Sequence, residues 1–431
     1  MIRARDGSFP WLHIKMYMSI RIVTLYSAFP PQRIFFLRLL PLPREKSMDL
    51  RIFLLAKANH DCYNKRTQTH IAGIIPARRE EMKVSIQLGI IGFGYMGKWH
   101  LNNAPRVEGV KVVAAYDIDA ARVAAAREAG LRGYDKLDDF LRDEEINLVL
   151  VATPNDSHCE LVCAALAAGK HVISEKPPAM SLAELDKMIA TAEAHGRIFT
   201  VHQNRRWDKD FRTVKAVLES GELGNVYAVR STLHGARGAM FGWRAEPEHG
   251  GGMIYDWGVH FVDQLLNLFG YDNVKSVLCR TAKVKTPEVE DYFTLILDFK
   301  AGFYAQIEIG TFVLKPNPRW LVTGDKGTLW IRDFSCDEGG VICVNEGVHG
   351  EAAPIMTTSG PTRTFAPRAK EEINEHPLPQ IEPDLREYYA NLRDAIDGKA
   401  EPIVKTSQVR SVFRVLEAAF ESAKTGKQIL L

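Results

Sequence analysis

The chain has 431 residues, of which 46% are hydrophobic and 25% charged, and its formal net charge at pH 7 is +2. That length predicts ample buried core and two domains of a soluble globular protein. No run approaches the roughly 18 uncharged apolar residues of a membrane span, and the near-neutral balance excludes a general nucleic-acid binder, so small molecules are the expected partners.

The charge is unevenly placed, with 14 Lys and Arg against 6 Asp and Glu in residues 1–82 and 41 against 47 in the remainder. Within that leader the stretch SIRIVTLYSAFPPQRIFFLRLLPLPREK shows no sustained period of 2 or 3.6, and arginine or lysine interrupts each apolar burst. No secretory apolar region survives such interruption. The shortage of acids suits a transit peptide, whereas Asp6 and the aromatic density do not. Met82 stands just ahead of the first strand, so residues 1–82 are expected to be a poorly structured leader read through from an early start. Six cysteines, at 62, 159, 163, 279, 336 and 343, lack the density of a disulfide framework and the paired spacing of a zinc site. They fit a reducing, cytoplasmic setting with no metal.

From Met82 the pattern alternates. Apolar runs SIQLGIIG, VKVVAAY, NLVLVAT, KHVIS and RIFTVH read as buried parallel strands, separated by helical segments at 120–129, 157–168 and 182–195. This predicts a doubly wound α/β domain over residues 83–204. Gly92, Gly94 and Gly97 follow the first strand with GxGxxG spacing. The first permits a tight turn, the second lets backbone N–H groups approach a pyrophosphate, and the third lets the next helix pack closely. A second strand ends in Asp117, twenty residues beyond the last glycine, where a carboxylate can bind the hydroxyls of an adenosine ribose. Such an acid repels a 2′-phosphate, favouring NAD, while Arg122 one turn along the next helix leaves NADP possible.

The fifth strand ends in Glu175-Lys176-Pro177, at the sheet edge where open α/β folds bind ligands. Proline restricts its neighbour's backbone, so the Lys176 ammonium is expected to point reproducibly. Taken alone, this lysine reads as a solvated surface charge. Its context is EHGGGMIYDWGVHFVDQLLNLFG, where Val262, Leu265, Leu266 and Phe269 mark an amphipathic helix ending at Gly270. Gly250, Gly251 and Gly252 are expected to admit a ligand close to the backbone. Asp256 and His260, four apart, share a face, and the aspartate is expected to accept a hydrogen bond from the imidazole and fix its tautomer. A lone pair of this kind is a structural hydrogen bond. Beside a nicotinamide site it suits proton transfer.

Alternating segments NVYAVRSTLH, DYFTLILDF, FYAQIEIG, RWLVTG and GTLWIRDF predict an open, mainly antiparallel sheet in an α+β domain over residues 205–431. Helices near 385–397 and 407–424 close the chain. Residues 333–380 read as a long excursion, a lid or an oligomer contact. An open sheet face also suits a dimer or tetramer.

The motifs GFGYMG, TPNDSH, AGKHVISEKP and GGGMIYDWGVH, in this order, resemble the glucose-fructose oxidoreductase and inositol dehydrogenase (Gfo/Idh/MocA) family over residues 84–431. The resemblance implies a Rossmann domain followed by a substrate and oligomerisation domain, with Lys176, Asp256 and His260 as the catalytic group. It implies cofactor contacts from Gly92, Phe93, Gly94, Tyr95, Met96, Gly97, Asp117, Thr153, Pro154, Asn155, His158, Glu175 and Lys176. The stretch VHQNRRWDKDFRTVKAVLESGELG is similar to the branch of scyllo-inositol and related polyol dehydrogenases. Asn204, Arg205, Trp243 and Arg244 are the candidates for the sugar hydroxyls, since guanidinium planes and aromatic faces suit polyols. The implied reaction moves a hydride from a sugar or cyclitol carbon to NAD, with His260 taking the hydroxyl proton, Asp256 steadying the imidazolium and Lys176 stabilising the oxyanion. Two alternatives stay open: an NAD-dependent glycoside hydrolase acting through transient oxidation, and a nucleotide-sensing regulator without catalysis.

Overall fold

The computed structural model describes residues 85–351 and 353–431, so the expectation for the leader lies outside the described residues. The first layer is a six-stranded sheet of β1 (Ile86–Ile91), β2 (Val110–Tyr116), β3 (Arg132–Tyr134), β4 (Leu148–Val151), β5 (His171–Ser174) and β6 (Phe199–Val201). Its order is β3-β2-β1-β4-β5-β6 and every pair is parallel. Helices cover both faces, which is why Ile86, Leu88, Ile90 and all four residues of β4 are fully buried and why these strands read as mainly apolar runs. They include α1 (Tyr95–Asn103), α2 (Ala120–Glu128), α3 (Leu137–Arg142), α4 (His158–Ala167) and α5 (Leu182–Ala194). The strand order reverses between β1 and β4, and a crevice opens at the carboxyl ends there. Gly92, Asp117, Thr153, Glu175 and His202 each stand just beyond the end of one of these strands.

The second layer is nine-stranded: β7 (Val226–His234), β8 (Val274–Ala282), β9 (Tyr292–Phe299), β10 (Tyr304–Gly310), β11 (Trp320–Gly324), β12 (Gly327–Ile331), β13 (Gly339–Val344), β16 (Ile373–His376) and β17 (Ile429–Leu430). All neighbouring pairs are antiparallel except β7 with β10, in the order β16-β13-β12-β11-β7-β10-β9-β8-β17. One face is covered: α6 (Lys209–Ser220) packs on β12, α7 (Val259–Phe269) on β10 and α9 (Thr406–Thr425) on β8. Along β9 the inward residues Phe293, Leu295, Leu297 and Phe299 are buried and alternate with half-buried ones. Each such side chain contributes about 1.5–3 kcal/mol by leaving water. The remaining helix, α8 (Arg386–Ile396), carries Tyr388 and Tyr389 into the core.

The two sheets are tied together by a turn, Asn204–Trp207, that follows β6. Its Arg206 is buried and forms a two-pronged ion pair with Asp263 of α7, both N–O distances being 2.7 Å. The excursion after β12 is partly sheet, since β13 and β16 extend the edge. Between them lies a small hairpin of β14 (Ile355–Thr357) and β15 (Gly360–Thr362). Among the described residues, no helix is long and apolar enough to cross a membrane.

Candidate active site

The glycine loop has the shape that its spacing predicts. Gly92 sits at φ +91°, where a side chain is strained, and a Cβ on it would lie 2.6 Å from the Ala152 carbonyl oxygen. A Cβ on Gly97 would lie 2.3 Å from the Gly92 carbonyl oxygen, so α1 can close on the loop only with glycine there. Gly94 differs, because a Cβ on it would approach only the tip of Arg122, at 3.9 Å. No side chain caps the start of α1, and Tyr95 is exposed. Open backbone N–H groups at a helix N-terminus fit a diphosphate. Asp117 is buried, its two carboxylate oxygens accepting from the Phe93 and Asp119 amides at 2.8 and 2.9 Å. Arg122 reaches to 3.5 Å of this carboxylate, with half of its side chain in solvent. Phe93 itself is core, so what it offers the loop is backbone.

Across the crevice, Thr153 bonds Ser157, and the buried Asn155 donates to the Gly250 carbonyl at 3.0 Å. Pro154 starts the short turn between them, and Met96 is exposed beside Tyr95 only in part. His158 is fully buried, its Nδ1 2.9 Å from the Pro177 carbonyl and its Nε2 2.9 Å from the Thr153 carbonyl. The ring is held between the loops of Thr153 and Pro177, a neutral imidazole donating its single N–H to one of the two carbonyls. The glycines at 250–252 are crowded by the protein itself. A Cβ on them would strike Met180 and Asn155, the Arg244 carbonyl, and the Glu290 carboxylate respectively.

Lys176 meets the helix that follows those glycines. Its Nζ donates to the Asp256 backbone carbonyl at 2.7 Å and to Asp256 Oδ1 at 2.9 Å, and Arg244 Nε donates to the same Oδ1 at 3.2 Å. Ile254–Gly258 forms a widened π turn leading into α7, a distortion frequent at functional sites. Burial pushes the Asp256 carboxyl pKa up, but Lys176 and Arg244 outweigh it, so the net shift is downward. The expected hydrogen bond from His260 to Asp256 is absent among the described residues: both cations bond Asp256 Oδ1, and His260 Nδ1 has no partner. His260 is 3% exposed, and burial first, then the charges of Lys176 and Arg205, hold its pKa well below the ordinary value.

Behind Lys176 runs a buried polar chain. Glu175 Oε1 accepts from His100 Nε2 at 2.8 Å and from His202 Nδ1 at 2.9 Å, and His100 Nδ1 bonds the Tyr389 hydroxyl. Burial lowers the His100 pKa to about 4, and His158 and His260 shift in the same direction. A histidine whose folded pKa is depressed contributes stability that is complete above the unfolded value near 6.5 and is lost as pH falls towards the folded value. Stability is therefore expected to decline below about pH 6.5, by at most about 1.4 kcal/mol per pH unit for each such histidine. Urea melts at pH 7.5 and 5.0 check this, and equal midpoints would contradict it.

An aromatic and cationic wall completes the site. The Arg205 guanidinium lies 4.2 Å from the Trp257 ring and 5.3 Å from Phe334, and it pairs with Asp208 at 2.8 Å. Trp257 stands edge-on to His260 at 5.8 Å. Trp243 stacks on Arg244 at 4.4 Å. Three of the four substrate candidates are thus linked to Asp256 or His260, while Asn204 is a half-buried residue of the turn that bears Arg205. Sequence reasoning missed Trp257, although it stands inside the DWGVH motif. It also missed Phe334, His100, His202 and Tyr389, which no spacing connects to the motif.

Comparison with known proteins agrees with this layout. Residues 86–203 match the family described as "Oxidoreductase family, NAD-binding Rossmann fold", and residues 211–330 match the "GFO/IDH/MocA C-terminal domain". The chain is 32% identical over 313 residues to the uncharacterized oxidoreductase C115.03 of Schizosaccharomyces pombe, covering 69% of this chain and 85% of that protein. It is 29% identical over 359 residues to the scyllo-inositol 2-dehydrogenase (NADP(+)) IolW of Bacillus subtilis, covering 80% and 96%. The crystal structure of an NAD-binding protein from Listeria innocua is similar with a TM-score of 0.77 at 39% identity, covering 80% of this chain and 99% of that one.

Proposed function

We propose, from the premise that this chain belongs to the Gfo/Idh/MocA oxidoreductase family and carries its NAD-binding Rossmann fold, that it oxidises a secondary hydroxyl of a sugar, inositol or related polyol. One observation carries the reading: Lys176 and Asp256, 80 positions apart, meet at 2.9 Å on the helix that bears a buried His260. The named activity of the Bacillus subtilis relative supports the substrate class.

Bound NAD supplies a hydride acceptor, and the glycine loop, Asp117 and the loop at Thr153–Asn155 would hold it. The remaining work falls to the chain's own side chains. With its pKa depressed, His260 keeps a free lone pair throughout the neutral range and can take the hydroxyl proton. The Lys176 ammonium offsets negative charge on the same oxygen, and Asp256 fixes that ammonium rather than the imidazole. Arg205, its guanidinium 4.2 Å from the Trp257 ring, and Arg244 present donors suited to polyol hydroxyls. The partly open outer face of the second sheet, with Tyr227 and Tyr304 exposed, is where a second copy would pack.

The test is a panel of inositols, aldoses and alditols followed at the NADH absorbance, on protein whose mass is read by light scattering. Turnover on at least one polyol is expected. Silence across the panel sinks the dehydrogenase reading, release of free sugar from an aryl glycoside without net NADH indicates the hydrolase instead, and a monomeric mass removes the self-association. In the same assay Arg122→Ala is expected to lower kcat/KM for NADP roughly tenfold, the worth of one charge-assisted hydrogen bond, and to leave NAD within about twofold. An equal change for both cofactors would exclude Arg122 as the 2′-phosphate contact.

A further inference from the structure

We propose that Glu222, Cys343 and His376 form a binding site for a transition-metal ion of the zinc class at the edge of the second sheet. The three residues come from separate parts of the chain. Val341 of β13 faces His376 of β16, and Cys343 faces Asn374, so Cys343 and His376 are diagonal neighbours on one face of this strand pair. Glu222 arrives from α6, where Gly221 at φ +73° ends the helix and turns the chain towards that face. One donor atom from each residue, the Cys343 sulfur, a His376 ring nitrogen and a Glu222 carboxylate oxygen, lies within 4.8 Å of the other two.

Tetrahedral zinc has ligand bonds of about 2.0–2.3 Å and needs its donors about 3.3–3.7 Å apart, so rotation of side chains is enough to close the set. Glu222 and His376 now share a hydrogen bond of 2.7 Å, which opens slightly, while the Cys343 thiol, now directed at the Glu222 carbonyl 3.6 Å away, moves inward. A cavity of about 210 Å³ lined by Ser220, Glu222, His376 and Pro377 adjoins the donors and has room for water as the fourth ligand. A thiol, an imidazole and a carboxylate together select zinc, cobalt or nickel over magnesium or calcium, which take oxygen donors alone. Binding releases the thiol proton and must displace the hydrogen between Glu222 and His376 Nε2, so affinity falls as pH falls. Burial and the Glu222 charge raise the Cys343 pKa, and a divalent cation reverses that effect.

The other cluster, His100, Glu175 and His202, is as compact but fully buried, and Glu175 is bonded to the Lys176 amide, so it belongs to the site already described. At the edge site the ion would fasten β16, the return strand of the excursion, to the end of α6. None of its three ligands takes part in the proposed oxidation.

The test uses the full chain, stripped with chelator and titrated with zinc chloride by calorimetry, with cobalt chloride as a spectroscopic probe. Expected are one equivalent bound, thiolate-to-cobalt charge-transfer absorption, a higher melting temperature with zinc, and affinity weakened at least tenfold in Cys343→Ser and in Glu222→Gln. Cys159→Ser, which alters the helical pair of cysteines, should bind as the unaltered chain does. Absence of stoichiometric binding by folded protein, or equal binding in Cys343→Ser, overturns the proposal. Turnover on a polyol is expected to be unchanged in all three variants, so failure here and failure of the oxidoreductase reading are read separately.

Discussion

Replacing His260 or Lys176 by alanine is expected to lower kcat by about 10²–10⁴ while leaving NAD binding within a few-fold. The two losses have different origins. Without His260 the hydroxyl proton has no neutral base at the buried end of α7, where burial and the Lys176 charge keep the imidazole unprotonated. Removing Lys176 takes away the charge that steadies the reacting oxygen and leaves Asp256 paired with Arg244 alone. The Asp256 pKa then rises, so the residual rate of Lys176→Ala should depend on pH more steeply than that of the unaltered enzyme. Asp256→Asn keeps the backbone carbonyl that Lys176 also uses, and a smaller loss, about tenfold, is expected. Single-turnover rates, with cofactor affinity read by fluorescence, separate chemistry from binding. Rates like those of the unaltered chain in both alanine variants would sink the catalytic assignment.

Asp263→Ala is expected to destabilise the protein by about 3–5 kcal/mol, because it leaves the Arg206 guanidinium buried without its counter-ion. Arg206 is 5% exposed and Asp263 1%, so water cannot replace the lost partner. The guanidinium also donates to the Ile403 carbonyl just before α9 and to Gln408 in its first turn. A double replacement, Arg206→Met with Asp263→Leu, removes both charges and is expected to cost less than Asp263→Ala alone, about 1–3 kcal/mol for the acceptors left unpaired. Denaturant melts of the unaltered chain, Arg206→Met, Asp263→Leu and the double variant form the cycle that measures this coupling. A double variant as unstable as the sum of its single changes would show that charge burial is not the cause.

Much of the first sheet was legible because its signals are local. A buried parallel strand reads as a mainly apolar run, and β1, β2, β4, β5 and β6 each have one, interrupted inside only by Gln87, Lys111 and Thr200. In the second sheet β8 escaped notice, since Lys275 and Arg280 on its exposed positions break the apolar pattern. Strand β3 has only three residues, and β13 and β16 lay inside a segment whose glycine, proline and charge content reads as loop. The edge strands pair there because β12 offers an open row of backbone groups, a property of the assembled sheet and not of either segment.

What the sequence determined by itself was set by backbone geometry and short-range periodicity: the doubly wound sheet, the turn at Gly92 with Gly97 packed beneath it, Asp117 at the end of β2, and the helix ending at Gly270. Spacing also placed Asp256 and His260 near each other, but it had no means of deciding which group the carboxylate would hold. Tertiary structure decided that, by bringing the Lys176 ammonium from a strand end 80 residues away to 2.9 Å from Asp256 Oδ1, where a charge-assisted hydrogen bond forms. Likewise the glycines at 250–252 make room for Asn155, Arg244 and Glu290, and Trp257 and Phe334 converge on Arg205. Such contacts depend on where distant segments cross in space, and a chain read in one dimension carries no record of those crossings.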